Sequence, residues 1–140
     1  MRLLLDTNVL SEVTRPLPET IVLEWLDRLD EDRTFISVVS IAEIRRGVAL
    51  MAKGRKRDAL AEWLARDLTT RFEHRIIPVE ERVALTWGDL MSDAKRSGRG
   101  LSSMDGLIAA TAIAHDLTLA TRNIKDFEGF GIDLVDPWGR

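Results

Sequence analysis

The chain alternates short, unbroken apolar runs with longer stretches in which apolar residues recur every three or four positions. Arg2–Leu5 is the first run. Its three leucines are uninterrupted, as expected of a strand covered on both faces. Thr34–Ser37, Arg75–Val79 and Leu117–Ala120 read the same way, and Ile132–Val135 adds a short fifth strand. Asn8–Val13 is a short helix stopped before Pro16 and Pro18. Glu19–Leu29 places Ile21, Val22, Trp25, Leu26 and Leu29 on one stripe. Ser40–Lys53 is helical and stops at Gly54. Lys56–Phe72 turns Leu60, Trp63, Leu64 and Leu68 inward. Glu80–Arg96 is helical and ends in the loop Ser97-Gly98-Arg99-Gly100, and Ser103–His115 is an alanine-rich apolar helix. Strands alternating with helices predict an α/β fold: a parallel sheet of four to five strands flanked by helices.

A set of acids punctuates this pattern. Asp6 ends the first strand, Glu43 follows the second, Asp105 opens the apolar helix, and Asn123 and Asp126 follow the fourth strand. Each has an ordinary reading. Ser40-Ile-Ala-Glu43 and Ser102-Ser-Met-Asp105 both match a helix capping box. Taken together they point elsewhere, because a parallel sheet delivers them to one edge, where ligands of such sheets bind. Converging carboxylates repel each other and raise their proton affinities unless a cation intervenes. Hard oxygen donors without histidine or cysteine select Mg²⁺, with Mn²⁺ as the alternative.

Composition narrows the field. At 140 residues with no break in character, the chain reads as a single domain, 1–140. Cysteine is absent and His74 and His115 stand far apart, so disulfides and zinc clusters are excluded. No run approaches the ~20 apolar residues of a membrane span, and no signal-type start is present, so a cytoplasmic protein is expected. A net charge of −3 gives no general pull on nucleic acid, which leaves local patches. Lys53, Arg55, Lys56 and Arg57 form one, and Lys95, Arg96 and Arg99 another. For both, the rival reading is a solvated helix end favoured by the dipole. Arg45 and Arg46, just after Glu43, are candidates for phosphate or carboxylate pairing. The nucleotide loops GxGxxG and GxxxxGK[ST] and the GxSxG elbow are missing.

The stretches LLLDTNVLSE, FISVVSIAEIRRGV, LSSMDGLIAATAIAHDLTLATRN and KDFEGFGIDLVDPW resemble a PIN domain. The likeness is narrower still to the VapC-type ribonuclease toxins of bacterial toxin–antitoxin pairs, in their FitB-like subgroup. The resemblance covers essentially the whole chain. It implies a three-layer sandwich and a Mg²⁺- or Mn²⁺-dependent endoribonuclease. It further implies a homodimer, inhibition by a small VapB-like antitoxin, and a higher assembly with antitoxin and DNA. The family's acids fall on Asp6, Glu43 and Asp105, and its hydroxyl residue on Thr7. A fourth acid common in the family is replaced here by Asn123, with Asp126 three residues on.

The expected mechanism sets Asp6 and Asp105 on the cation, with Glu43, Asn123 and Asp126 as further candidate ligands. Glu43 orients the attacking water or takes its proton. Thr7 and Thr121 hydrogen-bond a phosphate oxygen or a ligating carboxylate, or simply close local turns. The substrate is RNA, with transfer RNA the family's precedent. Trp63 belongs to a core stripe and Trp138 pins the tail; Trp25 and Trp87 are candidates to line a groove for an antitoxin helix, and Trp25, on the stripe of Leu26 and Leu29, has core packing as its alternative. The rival function is a non-catalytic binding module acting in an antitoxin–DNA complex. A haloacid-dehalogenase-type phosphatase is disfavoured, because Asn8 stands where its second acid belongs.

Overall fold

A computed structural model describes residues 1–139. Five strands form one parallel sheet, ordered β3-β2-β1-β4-β5. They are β1 (Leu3–Leu5), β2 (Thr34–Ser37), β3 (Ile76–Ile77), β4 (Thr118–Ala120) and β5 (Leu134–Val135). The expected α/β sandwich is the fold observed. Leu3, Leu4 and Leu5 are all buried, and successive side chains serve opposite faces. Leu4 joins the core with Ile108, Leu119 and Phe127, whereas Leu5 joins Val9, Ile36, Leu64 and Phe72.

Helices α1 (Thr7–Glu12) and α2 (Thr20–Asp27) supply one layer, together with a long helix over residues 55–71. That helix comprises α4 (Arg55–Glu62), a π-helical stretch at Trp63–Leu68 and α5 (Thr69–Arg71). Helices α6 (Glu81–Arg96) and α7 (Ser103–Ala114) cover the other face. Glu12, buried at the end of α1, accepts the Glu19 amide at 2.8 Å and the Arg15 guanidinium at 3.1 Å, which ties α1 to the start of α2. Burial works against its charge, yet these donors together hold its carboxyl below the usual range.

The structure departs from the sequence expectation in four places. Pro78 has no amide to give the ladder, so β3 is two residues rather than Arg75–Val79. β2 runs directly into α3 (Val38–Leu50) without a loop. Ser37, not Ser40, is the cap, and its hydroxyl accepts the Val39 amide at 3.0 Å. A 3₁₀ turn at Glu31–Arg33 has no counterpart in the sequence reading, because an element so short carries no readable periodicity, and the helical turn on which the Asp126 alternative depends is the one-turn helix α8 (Ile124–Phe127).

From β1 the chain steps outward to β2 and β3, then returns to place β4 and β5 on the other side. The sheet therefore reverses direction at the carboxyl ends of β1 and β4, the usual crevice for ligands.

Candidate active site

Asp6 lies in that crevice. Its amide extends the sheet by donating to the Ala120 carbonyl at 2.9 Å, which fixes its position against β4. Its side chain is only 3% exposed. Oδ1 accepts the Thr7 amide at 2.8 Å, and Oδ2 accepts the Thr121 hydroxyl at 2.7 Å. Asn8 Nδ2 lies 3.4 Å from the same Oδ2. Burial pushes the Asp6 carboxyl up to about 6. The two hydrogen bonds act against that rise, while the Asp105 and Glu43 charges add to it. Asp6 does cap α1, but it is more buried and more crowded by charge than a cap requires.

Glu43 lies in the second turn of α3, because the helix starts at Val38. The capping-box reading of Ser40 and Glu43 therefore fails. Both side chains reach Thr7 instead. Thr7 Oγ1 is 2.7 Å from Glu43 Oε1 and 2.9 Å from Ser40 Oγ. Thr7 has a single hydroxyl proton, and a carboxylate can only accept. Thr7 thus donates to Glu43, and Ser40 donates to Thr7. The proton of Thr7 is thus directed at the Glu43 carboxylate.

Asp105 sits in the first turn of α7, half-buried. The Ser102 hydroxyl accepts its amide at 3.2 Å, so here the predicted cap holds. Burial raises the Asp105 carboxyl, a hydrogen bond with Ser102 lowers it, and the nearby Asp126 charge raises it again. α7 comes close to α6 because residue 106 is glycine. A Cβ there would stand 2.5 Å from Met91 Sδ and 3.0 Å from Trp87 Nε1. Trp87 in turn donates to the Ser103 carbonyl at 3.2 Å, so it braces the start of α7.

The single turn of α8 places Asn123 and Asp126 differently. Asp126 lines a polar cleft of about 220 Å³ together with Ser102, Asp105, Lys125 and Arg99. Asn123 is not among its walls; its amide donates to Thr121 Oγ1 at 3.0 Å. Arg99 holds α8 in place. Its guanidinium donates to the carbonyls of Lys125 at 3.0 Å, Asp126 at 3.2 Å and Glu128, and it stacks on Phe130. Two participants escaped the sequence reading. Ser40 looked like a cap, and Asn8 served only to exclude a phosphatase. Asn8 bridges Asp6 to the turn after β4, its Oδ1 accepting the Arg122 amide at 3.4 Å. The signal for Asn8 was its place next to Asp6 and Thr7.

The sheet brings Asp6, Glu43 and Asp105 to one edge, yet it does not close them into a cage. Among the described residues, no three Asp, Glu, His or Cys side chains are grouped tightly enough to hold an ion by themselves. The donors are nonetheless all hard oxygens, and the anion of Asp6 is destabilised by burial. A hydrated Mg²⁺ uses only one or two carboxylates and keeps its waters, so this set fits that ion. A larger cavity, about 340 Å³, lies beyond α1 and holds none of these acids. Its lining is largely apolar, with Val9, Leu10, Leu26, Trp63 and Phe72. Trp25 and Trp63 pack on this side of the sheet, and Trp138 is covered by the Arg122 guanidinium.

A doubly flanked parallel sheet with acids at its switch point defines a class, and the chain belongs to it: PIN domain, matched over residues 3–131. Within that family the chain is similar to Toxin FitB of Neisseria gonorrhoeae. The two are 41% identical over 136 residues, spanning 97% of this chain and 98% of that protein. It is 36% identical to VapC ribonuclease Y4jK of Sinorhizobium fredii, with 97% of each chain covered. Among solved structures, FitAcB from Neisseria gonorrhoeae superposes with a TM-score of 0.91 at 41% identity, over 97% of this chain and 98% of that one. A toxin–antitoxin complex from Klebsiella pneumoniae gives 0.73 at 26% identity, with 98% of each covered.

Proposed function

We propose that this chain is the toxin of a type II toxin–antitoxin pair and a divalent-metal-dependent endoribonuclease of the cytoplasm. Relatives named as a toxin and as a ribonuclease support the reading. The observation that carries it is Asp6, an almost wholly buried carboxylate at the switch point, held by two fixed donors and flanked by Glu43 and Asp105.

Asp6 and Asp105 would hold Mg²⁺ or Mn²⁺, with Asp126 the nearest further acid. When bound, the ion supplies Lewis-acid polarisation of a phosphate oxygen and acidifies water. The protein's own groups do the rest. Thr121 and the Thr7 amide keep both Asp6 oxygens aimed into the crevice. Thr7, backed by Ser40, occupies Glu43 Oε1 and leaves Oε2 for the attacking water. Glu43 orients that water and takes its proton as the oxygen attacks phosphorus. The P–O bond to the leaving ribose oxygen breaks, and that oxygen is protonated from solvent. The chain acts as a homodimer, and the apolar cavity beyond α1 suits an amphipathic antitoxin helix.

The test is cleavage of structured RNA, transfer RNA included, with and without Mg²⁺ or Mn²⁺, by wild type, Asp6→Asn and Asp105→Asn. Wild type should cut only with the ion, and both variants should lose at least about a hundredfold. Equal cleavage by all three would remove the site. A second reading, a non-catalytic module working in an antitoxin–DNA complex, is favoured by the open acid arrangement and by neutral Asn123. Normal antitoxin binding without cleavage of any RNA would select it.

A further inference from the structure

Of the two basic clusters in the sequence, the fold accounts for one. Lys95 and Arg96 occupy the last turn of α6, where the helix dipole favours cations. Arg96 pairs with Asp93 at 3.2 Å, and Arg99 is engaged by three carbonyls and Phe130.

The other cluster lies at the wrong end of its helix. Arg55, Lys56 and Arg57 form the first turn of α4, and Lys53 precedes its cap, Gly54. The amino end of a helix carries partial positive charge, so these cations are repelled by the helix and by one another. Only Asp58 offsets them in that turn. The expectation of a helix end favoured by the dipole is therefore reversed. Among the described residues, none of the four side chains makes an ion pair, hydrogen bond or ring contact. Packing does not explain them either, since α4 buries none of its residues. Arg45 and Arg46, on the α3 helix that packs beside α4, are exposed and equally unpaired. Uncompensated positive charge is thus concentrated on one hairpin of a protein with net charge −3.

We propose that Lys53, Arg55, Lys56 and Arg57, with Arg45 and Arg46 beside them, form a docking patch for the phosphate backbone of the RNA, outside the cleavage site. The proposal rests on the ribonuclease reading. α3 links the two places: from Glu43 to Leu50 it rises about 10 Å, and Lys53 lies beyond. Lys53, Arg55, Lys56 and Arg57 therefore meet phosphates other than the one being cut and contribute affinity, with Arg45 and Arg46 lying on α3 between them and Glu43. Closely spaced, unpaired cations suit a polyphosphate, whose binding is driven by release of counterions. Protein interfaces are instead depleted of charge at their centres.

The test neutralises the patch with Lys53→Gln, Arg55→Gln, Lys56→Gln and Arg57→Gln together. This variant should fold and melt no lower than its parent, because it removes repulsion. RNA binding is read by fluorescence anisotropy in an Asp105→Asn background, so that nothing is cut. Affinity for a labelled single-stranded RNA should fall about tenfold or more at low salt. The slope of log affinity against log salt should shrink by up to about 3, at roughly 0.7 per phosphate contact. In cleavage-competent protein, KM should rise for long RNA while a trinucleotide is cut as before. Unchanged RNA affinity and slope would overturn the proposal. So would a patch-dependent preference for duplex DNA over RNA. If wild type cuts no RNA at all, the ribonuclease reading falls, and the anisotropy series still decides the patch.

Discussion

Buried beside Glu43 and Asp105, the carboxyl of Asp6 opposes folding whenever it is ionised. Its ordinary value is 3.8 and burial lifts it to about 6 in the folded chain. Between those values the folded state binds more protons than the unfolded state. Stability therefore falls as pH rises through that window and stays lowered above it, by about 3 kcal/mol. Asp6→Asn should accordingly raise the melting temperature at pH 7.5 in chelator and lose that advantage near pH 3.5. The Thr7 amide keeps an oxygen to donate to, and the Thr121 hydroxyl can turn to accept the new amide. A lower melting temperature at pH 7.5 would contradict this account. Added Mg²⁺ should stabilise wild type in proportion to the logarithm of its concentration and leave Asp6→Asn unmoved. Thr7 gives a separate test. Thr7→Val deletes the donor that holds Glu43 and should cut kcat about 10- to 100-fold while Mg²⁺ stabilisation persists. Thr7→Ser should recover most of the loss.

At the level of the elements, what could be read in the sequence tracks how much chain supports each signal. β1 and β2 were recognisable from apolar runs, and α7 from its cap and alanines. The pattern favours Ser40 as the start of α3 because Glu43 stands three residues on and completes a capping box, whereas Ser37 has only Ser40 there. Ser37 is both the last paired residue of β2, opposite Ile77, and the cap of α3, so the helix starts straight from the end of the strand. That shift moves Glu43 out of the first turn and onto Thr7. α8, which carries Asp126 to Asp105, is legible only as the turn that Asp126 would need, because one turn has no period. The partnership of Thr7, Ser40 and Glu43 spans 36 residues and only the sheet reveals it. Two expectations follow. Gly106→Ala must push Met91 and Trp87 aside, costing about 1–3 kcal/mol in denaturant unfolding and lowering kcat, because Asp105 is the preceding residue. Asp126→Asn should lower activity more than Asn123→Ala, since only Asp126 shares the cleft with Asp105.

For the whole molecule, stability should be graded across the chain. Leu4, Leu5 and Leu119 are at most 2% exposed at the centre of the sheet, whereas α4 contributes no buried residue. Native-state hydrogen exchange should protect the amides of β1 and β4 most and those of Arg55–Glu62 least. Slow exchange throughout α4 would count against that ordering. The pairing of β1 with β4 has a further consequence, for timing. The Asp6 amide bonds to Ala120, and its carboxylate to Thr121, more than a hundred residues later. A ribosome that has not yet released residue 121 therefore holds a chain whose first acid is complete in sequence and unsupported in space. Contacts of such long separation form late. On the proposed role of Asp6, cutting should thus be deferred until β4 and Thr121 have left the ribosome, so a shorter nascent chain should not attack the RNA around the machine that is making it.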